Sequence, residues 1–290
     1  MDTLRKDELI LVLNELDDKS LFNYCLTNKS SCPNEEFWRN RFIKKYGKEA
    51  SDFKNSERSW KNYYLLVVHY DDKYTPNKAL EEVSAKGYFD LVFFFILRGA
   101  KDLNRGMEGA ARGGHKELVD FLIEKGADNW NDGLYGAAEG EHKDLIDFFI
   151  SKGARNWNLA MKKAAKGGHR DLVDFFISQG ANYWGGGMSG AAEGGYRDLI
   201  DFFTSQGASG NYGIRGAATG GHKDLLDLFI SGGVEDWNIV LEGAAEGGHR
   251  DLVDFSISKG ATTYEWGLYH ANQGGHKEMI KFFRDKLGIK

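Results

Sequence analysis

Residues 130–154, WNDGLYGAAEGEHKDLIDFFISKGA, contain one complete copy of a repeat that fills most of the chain. Each copy has a histidine or tyrosine after a glycine pair or a close variant of that pair. Successive copies are 27 residues apart, except for one step of 26 residues. The marker residues are Tyr88, His115, His142, His169, Tyr196, His222, His249 and His276. A fixed period over eight copies predicts a repeat architecture, in which each unit stacks on its neighbours.

Both halves of the repeat have helical features. Leu145, Ile146 and Phe149 recur with the spacing of a buried helix, and Gly153 stands where a left-handed residue ends that helix. The first half is predicted to be a shorter helix around paired alanines. The residues expected to cap it are Asn131, Asn158 and Asn238. Each copy is therefore predicted to be a hairpin of two antiparallel helices, and the fold class to be an all-α solenoid of stacked helical hairpins.

Composition excludes several classes of protein. The chain of 290 residues has 37 glycines and two prolines, and all but Gly47 of the glycines lie from Gly87 onward. A hydrophobic content of 41% is enough for a folded core. No apolar run reaches the roughly 18 residues of a membrane span, and the first residues lack a secretory signal.

Charge and cysteine content give further expectations. The net charge of −5 gives no electrostatic reason to expect nucleic-acid binding. Cys25 and Cys32 are too few and too close to staple a domain of this size, so a reducing compartment is expected. We therefore expect a cytoplasmic protein that is not secreted, binds neither nucleic acid nor membrane, and is a monomer.

The repeats resemble ankyrin repeats. Residues 114–127, GHKELVDFLIEKGA, are similar to the second half of an ankyrin repeat, and the preceding alanine pair is similar to the end of its first helix. The period is 27 residues instead of about 33. The missing residues correspond to the β-hairpin finger of that family, and no copy has its Thr-Pro turn. The resemblance implies an ankyrin-like solenoid whose fingers are shortened or absent.

Residues 1–70 have no 27-residue period and only one glycine, Gly47. Leucine spacing predicts a first helix with Leu9, Leu13 and Leu16, a second at 21–26, a third at about 35–46, and a joining helix at about 59–70. This segment resembles an F-box. That resemblance implies docking on the Skp-type adaptor of a cullin ubiquitin ligase through Leu4, Leu9, Ile10, Leu13, Leu16, Leu21, Leu26 and Trp38.

The resulting organisation is an F-box-like three-helix module at 1–50, a joining helix or linker at 51–78, and eight ankyrin-like repeats at 79–290. This combination is similar to proteins encoded by giant DNA viruses of amoebae. It implies an adaptor that docks on ubiquitin machinery and holds a protein target, in the cytoplasm or nucleus of the host cell if the chain is viral. The alternative is a protein-binding scaffold whose N-terminal helices only cap the solenoid.

Repeated polar residues are interpreted as structural. The six marker histidines are expected to bond the loop at the start of the second helix, because equivalent side chains of stacked repeats lie too far apart to share a metal ion. Asp120, Asp147 and their equivalents follow a basic residue by four positions, which is typical of a solvated ion-pair face. No catalytic set or phosphate-binding loop is present in the sequence, so neither an enzyme nor a metal or other cofactor is expected.

A target-binding face is expected where the copies differ. Two positions of the first helix vary most, and their spacing of four places them on one face, which would be concave. The first position holds Glu108, Tyr135, Lys162, Ser189, Arg215, Glu242 and Tyr269. The second holds Arg112, Glu139, Lys166, Glu193, Thr219, Glu246 and Gln273. With Lys163, this face would carry a basic patch at Lys162 and Lys166 and an acidic patch at Glu242 and Glu246. Ordinary surface variation between copies is the alternative.

Overall fold

A computed structural model describes residues 16–27, 32–233 and 236–289. In these residues the chain is helical, with short connections and a single isolated β-bridge, so the all-α repeat prediction is confirmed. The chain divides into two compact units, residues 1–70 and residues 71–290. Within the described ranges, no helix combines the length and apolar character needed to cross a bilayer.

The N-terminal unit consists of short helices. They span Asp18–Thr27, Glu35–Tyr46 and, continuing past the end of the unit, Trp60–Lys73, with a 3₁₀ turn at Glu49–Phe53. The helices predicted at 21–26, 35–46 and 59–70 are therefore confirmed, with small shifts of their ends. The first predicted helix, with Leu9 and Leu13, lies outside the described residues apart from Leu16.

The core of this unit is aromatic. Trp38, Phe42, Tyr63 and Tyr64 are fully buried and pack ring against ring. Asp18 links the helices at the edge of this core, because it accepts a hydrogen bond from the Tyr64 hydroxyl at 2.6 Å and also pairs with Arg41 and Lys45. The unit therefore has a core of its own.

The two cysteines are joined. Cys25, in the first described helix, forms a disulfide with Cys32. The sequence had led us to expect reduced thiols, since one bridge over seven residues does little for a large domain. The bridge instead links the helix Asp18–Thr27 to a residue just before the helix Glu35–Tyr46.

Residues 76–287 form eight helical hairpins, which we number repeats 1 to 8. The first helices span Pro76–Ala85, Leu103–Arg112, Trp130–Glu139, Trp157–Gly167, Trp184–Gly194, Gly210–Gly220, Trp237–Gly247 and Tyr264–Gly274. The second helices span Phe89–Leu97, Lys116–Glu124, Lys143–Ser151, Arg170–Ser178, Arg197–Ser205, Lys223–Ser231, Arg250–Ser258 and Lys277–Leu287. Gly153 ends the second helix of repeat 3 with a φ of +105°, as predicted.

The helices form two layers. Each first helix packs against the first helices of the neighbouring repeats, whereas each second helix packs mainly on its own partner. We therefore call them inner and outer helices. Large side chains of the outer helices, such as Phe149, Phe176 and Phe203, are fully buried between the two layers.

Glycines allow the inner helices to lie backbone against backbone. A Cβ at Gly136 would lie 2.0 Å from the carbonyl oxygen of Glu108 in the preceding repeat, and one at Gly140 would lie 2.1 Å from that of Arg112. The second contact recurs at all seven junctions between successive repeats. Its glycines are Gly113, Gly140, Gly167, Gly194, Gly220, Gly247 and Gly274. Any larger residue would push the inner helices apart.

The marker histidines bridge successive repeats. His169 Nε2 lies 2.9 Å from the carbonyl oxygen of Glu139, at the end of the preceding inner helix, and can donate a hydrogen bond to it. The same contact is made by His115, His142, His222 and His249. The structural role is as expected, but the partner is a carbonyl of the neighbouring repeat instead of the loop beside the histidine.

The asparagines that recur near the start of the inner helices also connect successive repeats. Asn131 is the second residue of its helix, and the cap is Asn129. The Asn131 side-chain oxygen accepts hydrogen bonds from the backbone N–H groups of Arg155 and Asn156, both at 3.0 Å, in the next repeat. Asn158 and Asn238 do the same, so the N-cap prediction for these three residues is wrong. Asn77 and Asn104 make equivalent contacts.

The stack of repeats closes on itself. The Thr75 N–H, just before repeat 1, donates a hydrogen bond of 2.8 Å to the carbonyl of Gly275 in repeat 8, and Tyr74 pairs with His276. Arg105 Nη2 donates to the Gln273 carbonyl at 2.9 Å. The start of the first inner helix thus lies against the end of the last one. A closed ring replaces the open concave surface expected from the sequence.

Replacing Gly136 with alanine is expected to lower the free energy of unfolding by about 3 kcal/mol, because its Cβ would overlap the Glu108 carbonyl. The measurement is chemical denaturation followed by circular dichroism. The control is Gly232→Ala, since Gly232 has a φ of −79° and its Cβ would meet nothing closer than 3.3 Å. Equal stability of the two variants would contradict a backbone contact that requires glycine.

Candidate binding surface: the lumen of the repeats

The closed stack surrounds a polar cavity of about 520 Å³, which we call the lumen. Every repeat contributes at least one residue to its wall. The lining residues are Tyr74, Lys78, Glu81, Glu82, Asp102, Arg105, Glu108, Arg112, Asp132, Lys163, Lys166, Glu193, Thr219, Glu246, Gly247, Gln273, Gly274 and His276. With seven carboxylates and five cationic side chains among them, the wall has mixed charge and a small negative excess.

Only part of the repeat face predicted from the sequence lines the lumen. Of its residues, those that line the lumen are Glu108, Arg112, Lys166, Glu193, Thr219, Glu246 and Gln273. Tyr135 is buried, and Lys162, Ser189, Arg215 and Glu242 are half-buried. Glu139 is half-buried among lumen cations, and Tyr269 is 51% exposed. The second predicted position therefore faces the lumen, and the first mostly does not.

Glu81 is the centre of the charge network in repeats 1 and 2. It is only 6% exposed, and its carboxylate lies 2.8 Å from Lys78 Nζ, 2.6 Å from Arg105 Nε and 3.1 Å from Arg112 Nη1. Burial alone would raise the pKa of Glu81, but these three cations hold it far below its ordinary value. The carboxylate is therefore ionised at any physiological pH.

A second group of ion pairs links repeats 2 to 5. Lys163 Nζ lies 2.6 Å from Glu108 Oε1, two repeats away, and 3.3 Å from Glu139 Oε2. Lys166 Nζ lies 3.2 Å from Glu139 and 2.9 Å from Glu193. Burial raises the pKa of Glu139, but these cations outweigh burial and lower the pKa to about 2. The expected basic patch at Lys162, Lys163 and Lys166 is thus largely neutralised by carboxylates.

The expected acidic patch is also paired. Arg215 lies beside both glutamates, with Nη2 at 3.3 Å from Glu246 Oε2 and Nη1 at 3.7 Å from Glu242. Arg215 Nη2 also lies 3.1 Å from both ring nitrogens of His270. Burial and the adjacent Arg215 lower the pKa of His270, so its ring is neutral at pH 7. The two patches are parts of an enclosed polar network.

Sequence reasoning placed Lys163 in a basic patch without its carboxylate partners, and it missed His270. Both occupy a position that is glycine in the other repeats from 2 to 8, namely Gly109, Gly136, Gly190, Gly216 and Gly243. A side chain at this position lies over the preceding inner helix, which is why Lys163 and His270 reach residues two repeats away. The break in the glycine column was a signal in the sequence that could have identified them.

Asp132 is a lumen carboxylate in a negative environment. Burial, reinforced by the carboxylates of Glu108 and Asp102, raises the pKa of Asp132 to about 6. Lys163 and a hydrogen bond with Asn129 only partly oppose this rise. The folded protein therefore carries a carboxylate that takes up a proton near pH 6.

Aromatic side chains remain exposed near the starts of some inner helices. Trp266 is 56% exposed and touches Tyr269, with ring centroids 5.8 Å apart. Tyr183 and Tyr212 form a similar exposed pair in repeats 5 and 6, 5.8 Å apart. Aromatic residues with one free face are typical of protein interfaces.

The residues expected to dock on an adaptor lie in the N-terminal unit. Leu21 and Trp38 are fully buried and belong to its core, and Leu16 is half-buried. Leu4, Leu9, Ile10 and Leu13 lie outside the described residues, and the side chain of Leu26 is not described either. Leu21 and Trp38 therefore support the shape of the unit instead of presenting an apolar surface.

Two of the six i, i+4 ion pairs predicted on the outer face of the repeats form, and Lys223 pairs instead with Asp251 of the next repeat. Arg170 pairs with Asp174 and Arg250 with Asp254, both at 3.0 Å and four residues apart.

Among the described residues, no group of three His, Cys, Asp or Glu side chains is placed to hold a metal ion. Neither the protein-family models nor the curated proteins with which the sequence was compared give a match.

Asp132→Asn is expected to stabilise the protein by about 1 kcal/mol at pH 8, after allowance for solvent screening. The ionised Asp132 carboxylate destabilises the folded state, because its folded-state pKa of about 6 lies above the ordinary 3.8. This destabilisation is present above pH 6 and is lost below pH 4. The gain should therefore disappear at pH 4. Denaturation at both pH values measures it, with the exposed Asp120→Asn as control, and a gain at pH 4 equal to that at pH 8 would contradict the assignment.

Proposed function

We propose that this chain is a non-catalytic adaptor. Its N-terminal unit is an F-box-like module that docks on the Skp-type adaptor of a cullin ubiquitin ligase, and its repeats are an ankyrin-like frame that holds a protein target. The proposal assigns the two activities to the two compact units, 1–70 and 71–290.

The observation that carries the proposal is the closure of the repeats. A stacked repeat domain needs its terminal surfaces covered, and the alternative function for the N-terminal helices was to provide that cover. Here the start of the first inner helix is contacted by repeat 8, through Thr75, Tyr74 and Lys78 against Gly275 and His276. The repeats therefore meet part of this need themselves, which favours a separate role for residues 1–70.

The target surface that fits this proposal is formed by the two exposed aromatic pairs described above, Tyr183 with Tyr212 and Trp266 with Tyr269. The lumen is less suitable for a folded target, because it is small and most of its charges are already paired. Aromatic side chains bury large areas at low entropic cost and are enriched among the residues that dominate binding energy.

The docking half is tested by recovery of the Skp-type adaptor on the immobilised full-length chain. Leu9→Asp/Leu13→Asp is expected to reduce recovery at least ten-fold, since two charges would be placed in an apolar docking helix. The matched control is Lys44→Asp, an exposed residue of the helix Glu35–Tyr46, which should leave recovery unchanged. Equal recovery by wild type and the leucine variant, or no recovery by either, would exclude adaptor docking.

A further inference from the structure

The closed ring has seven regular junctions and one that differs from them. We call the contact between repeat 8 and repeat 1 the seam. At each regular junction, a glycine at the end of the inner helix lies against a carbonyl of the preceding repeat. In repeat 1 the equivalent residue is Lys86, which is exposed. Repeat 1 is therefore not built to receive a preceding repeat in the regular way.

Each regular junction keeps at least one of the two side-chain bridges, whereas the seam lacks the residue types of both bridges. Tyr196 replaces the histidine at one regular junction, and Gly185 replaces the asparagine at another. The residue of repeat 1 that corresponds to the marker histidines is Tyr88, and the residue of repeat 8 that corresponds to the bridging asparagines is Glu265. The column of inner glycines is interrupted as well, since repeat 1 has Glu82 at that position.

Few contacts hold the seam. One backbone hydrogen bond joins the Thr75 N–H to the Gly275 carbonyl, and Lys277 Nζ bonds the Asp71 carbonyl. Arg105 adds its bond to the Gln273 carbonyl, and the rings of Tyr74 and His276 are 5.7 Å apart. Three of these four contacts are polar, and of the residues that make them only Gly275 is buried. A junction with few buried apolar contacts opens at a lower free energy than one with continuous helix packing.

We propose that the seam is a gate, at which the ring opens while the seven regular junctions stay closed. Opening separates the start of the inner helix of repeat 1 from the end of that of repeat 8. It gives access to the lumen from the side, so that a chain segment can enter without threading through the ring. This inference does not depend on the proposed adaptor function.

Thr75 allows the gate to be perturbed without changing the helix that follows. Its φ of −64° already suits proline, and it directly precedes Pro76. Among the described residues, Thr75 is the one that donates a backbone N–H across the seam, so Thr75→Pro would remove that bond and leave the chain path intact. Thr75→Val keeps the N–H and is the matched control.

The experiment measures distances between spin labels by pulsed electron resonance in the full-length chain, with Cys25 and Cys32 replaced by serine. One label pair, Arg98→Cys/Lys286→Cys, spans the seam. The other, Lys125→Cys/Lys152→Cys, occupies the corresponding positions at the junction of repeats 2 and 3, and all four sites are exposed. Circular dichroism confirms that each variant is folded.

The seam pair is expected to give a second, longer distance that the Lys125/Lys152 pair lacks. Thr75→Pro should raise the ratio of long to short distances roughly five-fold, as expected for the loss of one backbone hydrogen bond. Thr75→Val should leave this ratio unchanged. A single seam distance as narrow as that of the control pair and unmoved by Thr75→Pro, or an equal broadening of both pairs, would overturn the proposal.

Discussion

The architecture depends on contact between the backbones of neighbouring inner helices. At each of the seven regular junctions a glycine lies against a carbonyl oxygen at a distance that no Cβ could share, as Gly140 does against Arg112. The outer helices, by contrast, pack mainly on their own inner helices and not closely on one another. Each repeat is therefore narrower on the inside than on the outside. Stacking such wedges turns the chain in one direction, and after eight of them the two ends meet.

Closure determines how charge is arranged on the inner side. Inner-helix positions that would face water in an open solenoid here face one another across a confined space. A charge in this setting is stable only with partners, and Glu81 with its three cations is the clearest example. The reach of Lys163 to Glu108, across two repeats, is possible because the ring is tightly curved. The polar network is thus a consequence of the curvature, and it also holds the repeats in place.

The sequence predicted the local structure better than the assembly. The period, the two helices of each copy and the closing glycine at Gly153 follow from spacing and from backbone preferences within one repeat. The closure does not, because it is the sum of small rotations at seven junctions, none of which is encoded by a motif. The partners of Lys163 and Lys166 were unpredictable for the same reason, since they belong to other repeats. Asn131 was misassigned because a capping position and a bridging position lie only two residues apart.

The step of 26 residues between Tyr196 and His222 coincides with a change on the other side of the same junction. The loop before repeat 6 is one residue shorter than its equivalents, and repeat 5 has Gly185 where its neighbours have the bridging asparagine. The Tyr212 ring fills the space beside Gly185. The acceptor position at Gly185 and the loop before repeat 6 have changed together, although they lie at opposite ends of the repeat 5 hairpin. Recombination between copies would therefore preserve this junction when both ends of the hairpin are inherited together, and would disturb it when a breakpoint falls inside the hairpin.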